Sequence, residues 1–93
     1  PNLQYKEGVL EKSAIVPKVK ANDRLLDENE QKILGFCYYA YRSTKEIAEY
    51  LGISVSTYLS KRILDPLVAE RLLIEKASRP KMYMTDRTSI HIV

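Results

Sequence analysis

Glycine is scarce in this 93-residue chain, with three residues, which leaves almost no room for a glycine-rich loop that cradles phosphates. One cysteine, Cys37, cannot form an intrachain disulfide, and one cysteine with one histidine, His91, cannot complete a structural zinc site. The chain therefore needs no oxidising compartment, and a reducing cytoplasm is the expected location. No apolar run approaches the roughly 20 residues that a membrane helix needs, and no signal-peptide pattern is present. A membrane partner is not expected. The length suits one small domain with a modest core, too short for a catalytic domain beside a separate cofactor domain. No nucleophile–base arrangement is visible, so neither enzyme activity nor a cofactor is expected. Fifteen Lys and Arg against twelve Asp and Glu give a net charge of +3, which permits a polyanionic partner without demanding one.

The charge is unevenly spread. Residues 1–30 hold five basic and six acidic side chains, a net of −1, and residues 31–93 hold ten and six, a net of +4. The basic region is also the one with clear periodicity. The sequence divides into an N-terminal arm or linker, residues 1–26, and a domain, residues 27–93. In the first 24 residues Gly8, Pro17 and Ala21-Asn22-Asp23 interrupt every period, and Val9, Leu10, Ile15, Val16 and Val19 suit only short extended pieces. An interdomain linker and a dimerisation arm both fit. A start at Pro1 and an abrupt stop after Ile92-Val93 fit a piece of a longer protein, with room for an upstream domain, and fit a trimmed small protein equally.

From Asp27 the pattern sharpens. Asp27 or Glu28 opens a helix, and Ile33, Leu34, Cys37, Tyr38 and Tyr41 follow as an apolar stripe of helical period, ending near Arg42. Ser43 and Glu46 have capping-box spacing ahead of a second helix with Ile47, Ala48 and Leu51, and Gly52 follows where a left-handed residue is wanted. Ser54 is placed to cap a third helix carrying Val55, Leu59, Ile63, Leu64, Leu67 and Val68. Pro66 inside that pattern predicts a kink or a restart. Residues 72–77 and 82–85 read as strands joined by the turn Ser78-Arg79-Pro80-Lys81, with Met82 and Met84 on one face and Tyr83 on the other.

Three helices and a hairpin are the components of a mainly α winged helix-turn-helix, a three-helix bundle plus a two-stranded wing. The expected core is Ile33, Leu34, Cys37, Ile47, Leu51, Leu59, Ile63, Leu67, Ile74 and Met84. A helix-turn-helix unit lays its second helix in the DNA major groove, where small hydroxyl side chains permit close approach and basic ones pair with phosphate or guanine. Ser54, Ser56, Thr57, Ser60 and Lys61 meet that demand on the face opposite Leu59 and Ile63. Thr44 and Lys45, at the start of the preceding helix, and Arg79 and Lys81, at the hairpin tip, complete the expected contact set for double-stranded DNA.

The segment Tyr58-Leu59-Ser60-Lys61-Arg62-Ile63-Leu64-Asp65-Pro66-Leu67, continuing to Leu72-Leu73-Ile74, resembles the winged-helix tail of bacterial RecG-related transcriptional regulators. The resemblance spans about residues 28–86, and its distinctive stretch is Ile63-Leu64-Asp65-Pro66-Leu67. It implies a DNA-binding module of a transcription regulator, without helicase motifs. Arg71 departs from the pattern, because such proteins have glycine at that step into the wing, and the hairpin tip is short.

A bland reading stands beside each of these. The serine-rich helix face also suits a solvated surface, and winged helices also serve as protein-docking or homodimerisation modules. Cys37 on an apolar stripe reads as a small buried residue. Tyr38 and Tyr41 read as packing, while Tyr39 and Tyr83 suit an exposed contact or a subunit interface. Glu46 and Glu49 read as cap and solvated face.

Overall fold

The computed structural model describes residues 16–93; the expectations for Val9, Leu10 and Ile15 lie outside the described residues. Strand β1 is Val19–Ala21 and helix α1 is Glu28–Phe36. The short strand β2, Arg42–Ser43, leads into helix α2, Thr44–Leu51. Helix α3 has a π-helical stretch, Leu59–Leu64, that runs into the α-helical Asp65–Ala69. Strands β3 (Leu73–Lys76), β4 (Met82–Thr85) and β5 (Ile90–Ile92) follow. Two antiparallel sheets result: β2-β4-β3, and β1 paired with β5.

The capping box expected at Ser43–Glu46 forms, and a second one, at Asp27–Glu30, opens α1. The Asp27 carboxylate accepts the Glu30 N–H at 2.8 Å while Glu30 accepts the Asp27 N–H at 3.0 Å. Ser43 and Glu46 repeat the exchange ahead of α2. Each box satisfies two backbone donors that the helix itself leaves without partners. Gly52, at φ 75°, closes α2 in the left-handed conformation.

Helix α1 is shorter than its apolar stripe suggests. It stops at Phe36 because β4 takes over its last carbonyls. The Thr85 hydroxyl donates to the Leu34 carbonyl at 2.5 Å, and the Thr85 N–H donates to the Cys37 carbonyl at 3.0 Å. Tyr38 and Tyr41 therefore lie in the loop before β2 rather than on a helix, with Tyr41 exposed beneath the Lys76 ammonium at 5.3 Å.

The start of α3 also differs from expectation. Ser54 lies in the turn, and Ser56 is the residue whose hydroxyl accepts the Leu59 N–H, at 3.4 Å. The expected kink at Pro66 takes the form of a widened turn upstream of the ring, where the Asp65 N–H reaches back five residues to the Ser60 carbonyl. A proline needs room at the carbonyl four residues back, and a π turn opens the helix there. One consequence is a shift of the buried stripe. Leu59, Leu64 and Leu67 are buried, five and three residues apart, while Ile63 is only half-buried. Leu51 likewise packs at the margin of the core instead of inside it.

After α3 the backbone makes the left-handed turn that a glycine would favour, but with Arg71, at φ 63°. The Leu72 N–H bonds the Leu67 carbonyl at 2.9 Å and the Arg71 N–H bonds the Val68 carbonyl at 3.0 Å, which closes the helix end. The hairpin is turned over relative to expectation. Its register pairs Leu73 with Thr85 and Glu75 with Tyr83, and this face points inward, so Leu73, Tyr83 and Thr85 are buried. Ile74 is exposed and Met84 half-buried on the outer face. A strand alternates sides at every residue, so the bonds that fix Thr85 against α1 decide the face of the whole hairpin.

Val19 is buried against the core, and the segment leading to it crosses α1 closely. At Gly35 a Cβ would meet the Pro17 carbonyl oxygen at 2.5 Å and Val16 Cγ1 at 3.0 Å, so only glycine admits this crossing. Arg24 then ties the segment down. Its guanidinium binds both carboxylate oxygens of Glu30, at 2.9 and 2.7 Å, and reaches Glu70 beyond the end of α3.

Candidate nucleic-acid interface

Helices α2 and α3, joined across Gly52 and residues 53–56, form a helix-turn-helix. Ile47 and Ala48 anchor α2 in the core, and Leu59, Leu64 and Leu67 anchor α3. Helix α2 is held to α1 by a stack. The Phe36 ring lies parallel to Tyr50 at 4.4 Å between centroids, and the Arg42 guanidinium sits 4.4 Å over Phe36. Dispersion and the ring quadrupole both favour this arrangement. With its inner side fixed, α3 turns the opposite side to solvent.

The turn and the outer surface of α3 leave Ser54, Val55, Ser56, Thr57, Tyr58, Lys61, Arg62 and Asp65 exposed, with Tyr58 and Arg62 on the flank towards Asp27, Asn29 and Glu30. Of the residues expected to contact DNA, Thr57 and Lys61 therefore lie together on the open face of α3, with Ser54 in the turn before it. Ser56 is also exposed, but its hydroxyl is committed to capping the helix. Ser60 is half-buried, on the flank rather than the crest. Lys45 is exposed on α2, whereas Thr44 is half-buried and its side chain hydrogen-bonds to Tyr83. Burial holds the Tyr83 phenol above the ordinary tyrosine range despite that bond. Tyr83 is thus a core residue rather than an exposed contact.

At the hairpin tip Arg79 is exposed, and Lys81 is partly engaged by Glu75 at 3.7 Å. The tip is shaped by the Ser78 hydroxyl, which donates to the Pro80 carbonyl at 2.8 Å.

Three exposed residues of this face, Val55, Tyr58 and Arg62, stand outside the contact set expected from sequence. A helix beginning at Ser54 would carry Val55 inward on the apolar stripe; one capped by Ser56 leaves it outside. The signal that finds Tyr58 and Arg62 is their spacing of four residues from each other, outside the Leu59–Leu64 line.

The remaining chemistry is structural. Burial pushes the Cys37 thiol up to about 12, which leaves it protonated and unreactive at neutral pH. The Glu30 carboxyl is held below the usual range by its hydrogen bonds with Arg24. Among the described residues no group of three His, Cys, Asp or Glu is placed to hold a metal, and no helix is long and apolar enough to cross a membrane.

A family model, Sigma-70, region 4, matches residues 24–57. The matched stretch covers about a third of the chain, from Arg24 through α1, α2 and the turn to the first residue of α3. Searches of the curated proteins and of solved structures each return no match. The matched family is a helix-turn-helix one and not a catalytic one. The chain thus carries a helix-turn-helix built from α2 and α3, similar over α1, α2 and the turn to Sigma-70 region 4.

Proposed function

We propose that this domain binds double-stranded DNA as a winged helix, with α3 in the major groove and residues 78–81 of the hairpin on the backbone. The observation that carries the reading is the open face of α3, where Thr57, Lys61 and Arg62 stand exposed just after a glycine-closed turn. The β2-β4-β3 sheet behind it gives the hairpin a rigid base from which Arg79 reaches outward. The likeness to Sigma-70 region 4 supports a place in transcription. The narrower assignment, to the tail of a bacterial RecG-related regulator, rests on Ile63-Leu64-Asp65-Pro66-Leu67 and on the left-handed backbone at Arg71. In that reading the module works in the cytoplasm, tethered to an upstream domain. Residues 1–26 are its arm, whose strand β1 docks on β5.

Duplex affinity measured against salt concentration tests this. Removing one phosphate contact lowers the slope of log affinity against log salt by about 0.9. Arg79→Ala and Lys81→Ala are expected to weaken all duplexes alike and flatten that slope. Lys61→Ala, Arg62→Ala and Ser60→Ala are expected to erode preference for an enriched sequence more than binding to random DNA. Variants indistinguishable from the parent at two salt concentrations would remove the helix-in-groove reading. A second reading, docking to a protein or to a second copy, is favoured by the outer face of the hairpin. Ile74 is 42% exposed there opposite Met84. It predicts weak DNA affinity throughout and a mass in solution that rises with concentration and falls on Ile74→Ser.

A further inference from the structure

We infer that Val55 and Tyr58 read the methyl groups of thymines, which makes the preferred duplex one that sets thymine beside guanine under the first turn of α3. The inference rests on the DNA-binding reading above and adds to it a base preference.

The first observation is exposure. Val55 is 57% and Tyr58 64% exposed, at the opening of the helix whose opposite side is fully packed. Leaving large apolar side chains in water forgoes stabilisation that burial would bring. Neither has a place in the domain's own core, because Leu59 and Leu64 already fill the inner side of this helix. The second observation is what surrounds them. Lys61 and Arg62 follow within the next turn, both exposed, and Arg62 shares with Tyr58 a concavity that Asp27, Asn29 and Glu30 also line. A surface that mixes two cations with two apolar groups suits a polyanion carrying an apolar feature at contact depth. The major groove offers one such feature, the thymine C5-methyl group.

The third observation is the inventory of polar readers. Between Ile53 and Asp65 the sequence has no asparagine or glutamine, the side chains that bond adenine in pairs. The Ser56 hydroxyl oxygen accepts the Leu59 N–H at 3.4 Å, which turns this side chain towards the helix start. The hydroxyls of Ser54, Thr57 and Ser60 bond acceptors and donors of either base pair, whereas the chemistry of Lys61 and Arg62 suits guanine O6 and N7. Adenine–thymine pairs are then distinguished from the thymine side, by the methyl group, and guanine–cytosine pairs by the cations. The residues at the N-terminal end of a recognition helix are the ones that meet base edges, which is where Val55 and Tyr58 stand.

The experiment enriches duplexes from a random-sequence pool on the intact chain, then prepares the enriched sequence with thymine or with uracil. Uracil lacks only the methyl group. Replacing thymines one at a time is expected to weaken binding about fourfold at each methyl contacted, the equivalent of one buried methyl-sized group. The effect should be confined to a few adjacent positions. Val55→Ser and Tyr58→Ala, both at exposed positions, should each shrink the thymine–uracil difference while binding the uracil duplex nearly as the parent does. That pattern separates direct contact from a change in groove shape, which the variants would leave intact. Equal affinity for thymine and uracil duplexes overturns the inference and leaves DNA binding standing. A full thymine–uracil difference in both variants overturns it too. Failure to bind any duplex at low salt in either arm instead removes the DNA-binding reading, and this inference with it.

Discussion

Replacing Arg71 by glycine is expected to stabilise the domain, although it removes a side chain and adds nothing. Arg71 holds φ at 63°, where the Cβ of any L residue crowds the following carbonyl oxygen. That crowding costs roughly 1–2 kcal/mol for a residue with a side chain, and glycine escapes it. Glycine in turn frees the unfolded chain, which opposes folding by about 0.5–1 kcal/mol. The net gain is about 0.5–1 kcal/mol. For a domain of this size 1 kcal/mol moves the melting midpoint by about 4–8 °C, so a rise of about 2–8 °C is expected. The side chain offers little to set against this, being exposed and without a hydrogen bond or ion pair among the described residues. The assay is thermal unfolding followed by circular dichroism, with Arg71→Ala as the control. Alanine removes the same charge but keeps a Cβ, so it should show none of the gain. A glycine variant that melts at or below the parent temperature would refute the strain argument. An alanine variant that rises as far would assign the gain to charge instead.

Three further outcomes are expected. Gly35→Ala puts a Cβ 2.5 Å from the Pro17 carbonyl, so the crossing segment must shift despite alanine's better helix propensity. A loss of about 1–3 kcal/mol in urea titration and faster tryptic cleavage at Lys18 and Lys20 are expected, and a gain in stability would contradict the close approach. Cys37 should resist iodoacetamide at pH 8 in the folded protein and react once urea unfolds it; brisk labelling of the native form would show that its burial is not maintained. Glu30 is depressed below the ordinary carboxylate range by Arg24, so its contribution is complete above the unfolded value of about 4.3 and fades as pH falls through the lower folded value. Glu30→Gln, which keeps an acceptor for the Asp27 N–H, should therefore be less stable than the parent at pH 7 and converge with it in acid. A difference that stays constant with pH would deny the ion pair its role.

What can be read from the sequence is what neighbours along the chain decide. The helix start at Asp27 and the box at Ser43–Glu46 are set by residues within one turn, and Gly52 answers a backbone angle at its own position. The order of helices and hairpin strands follows from the same local signals. Some errors fall where distant segments of the chain intervene, and others where a local irregularity breaks the helical period. Helix α1 ends early because Thr85, some fifty residues on, bonds Leu34. The same bond turns the hairpin over, burying Tyr83 in place of Ile74 and Met84. Leu64 replaces Ile63 in the core because the π turn before Pro66 adds a residue to the spacing, which a fixed helical period cannot anticipate. At the candidate interface, a helix start at Ser54 instead of Ser56 hides Val55 among the core residues. The face carrying Thr57 and Lys61 is legible all the same, since either start leaves Leu59 pointing inward.

The pairing of β1 with β5 has a mechanical consequence. Val19 lies opposite Ile92 and Ala21 opposite Ile90, and the Val93 N–H donates to the Lys18 carbonyl at 2.8 Å. Tension applied between residues 18 and 93 would act across this ribbon from its open end. Its hydrogen bonds would then break in succession, like a zip, instead of resisting together as they do when paired strands are dragged lengthwise. Under such pulling the ribbon should yield at low force and before the helices, releasing Val19 and Ile90 from the core while the β2-β4-β3 sheet still holds.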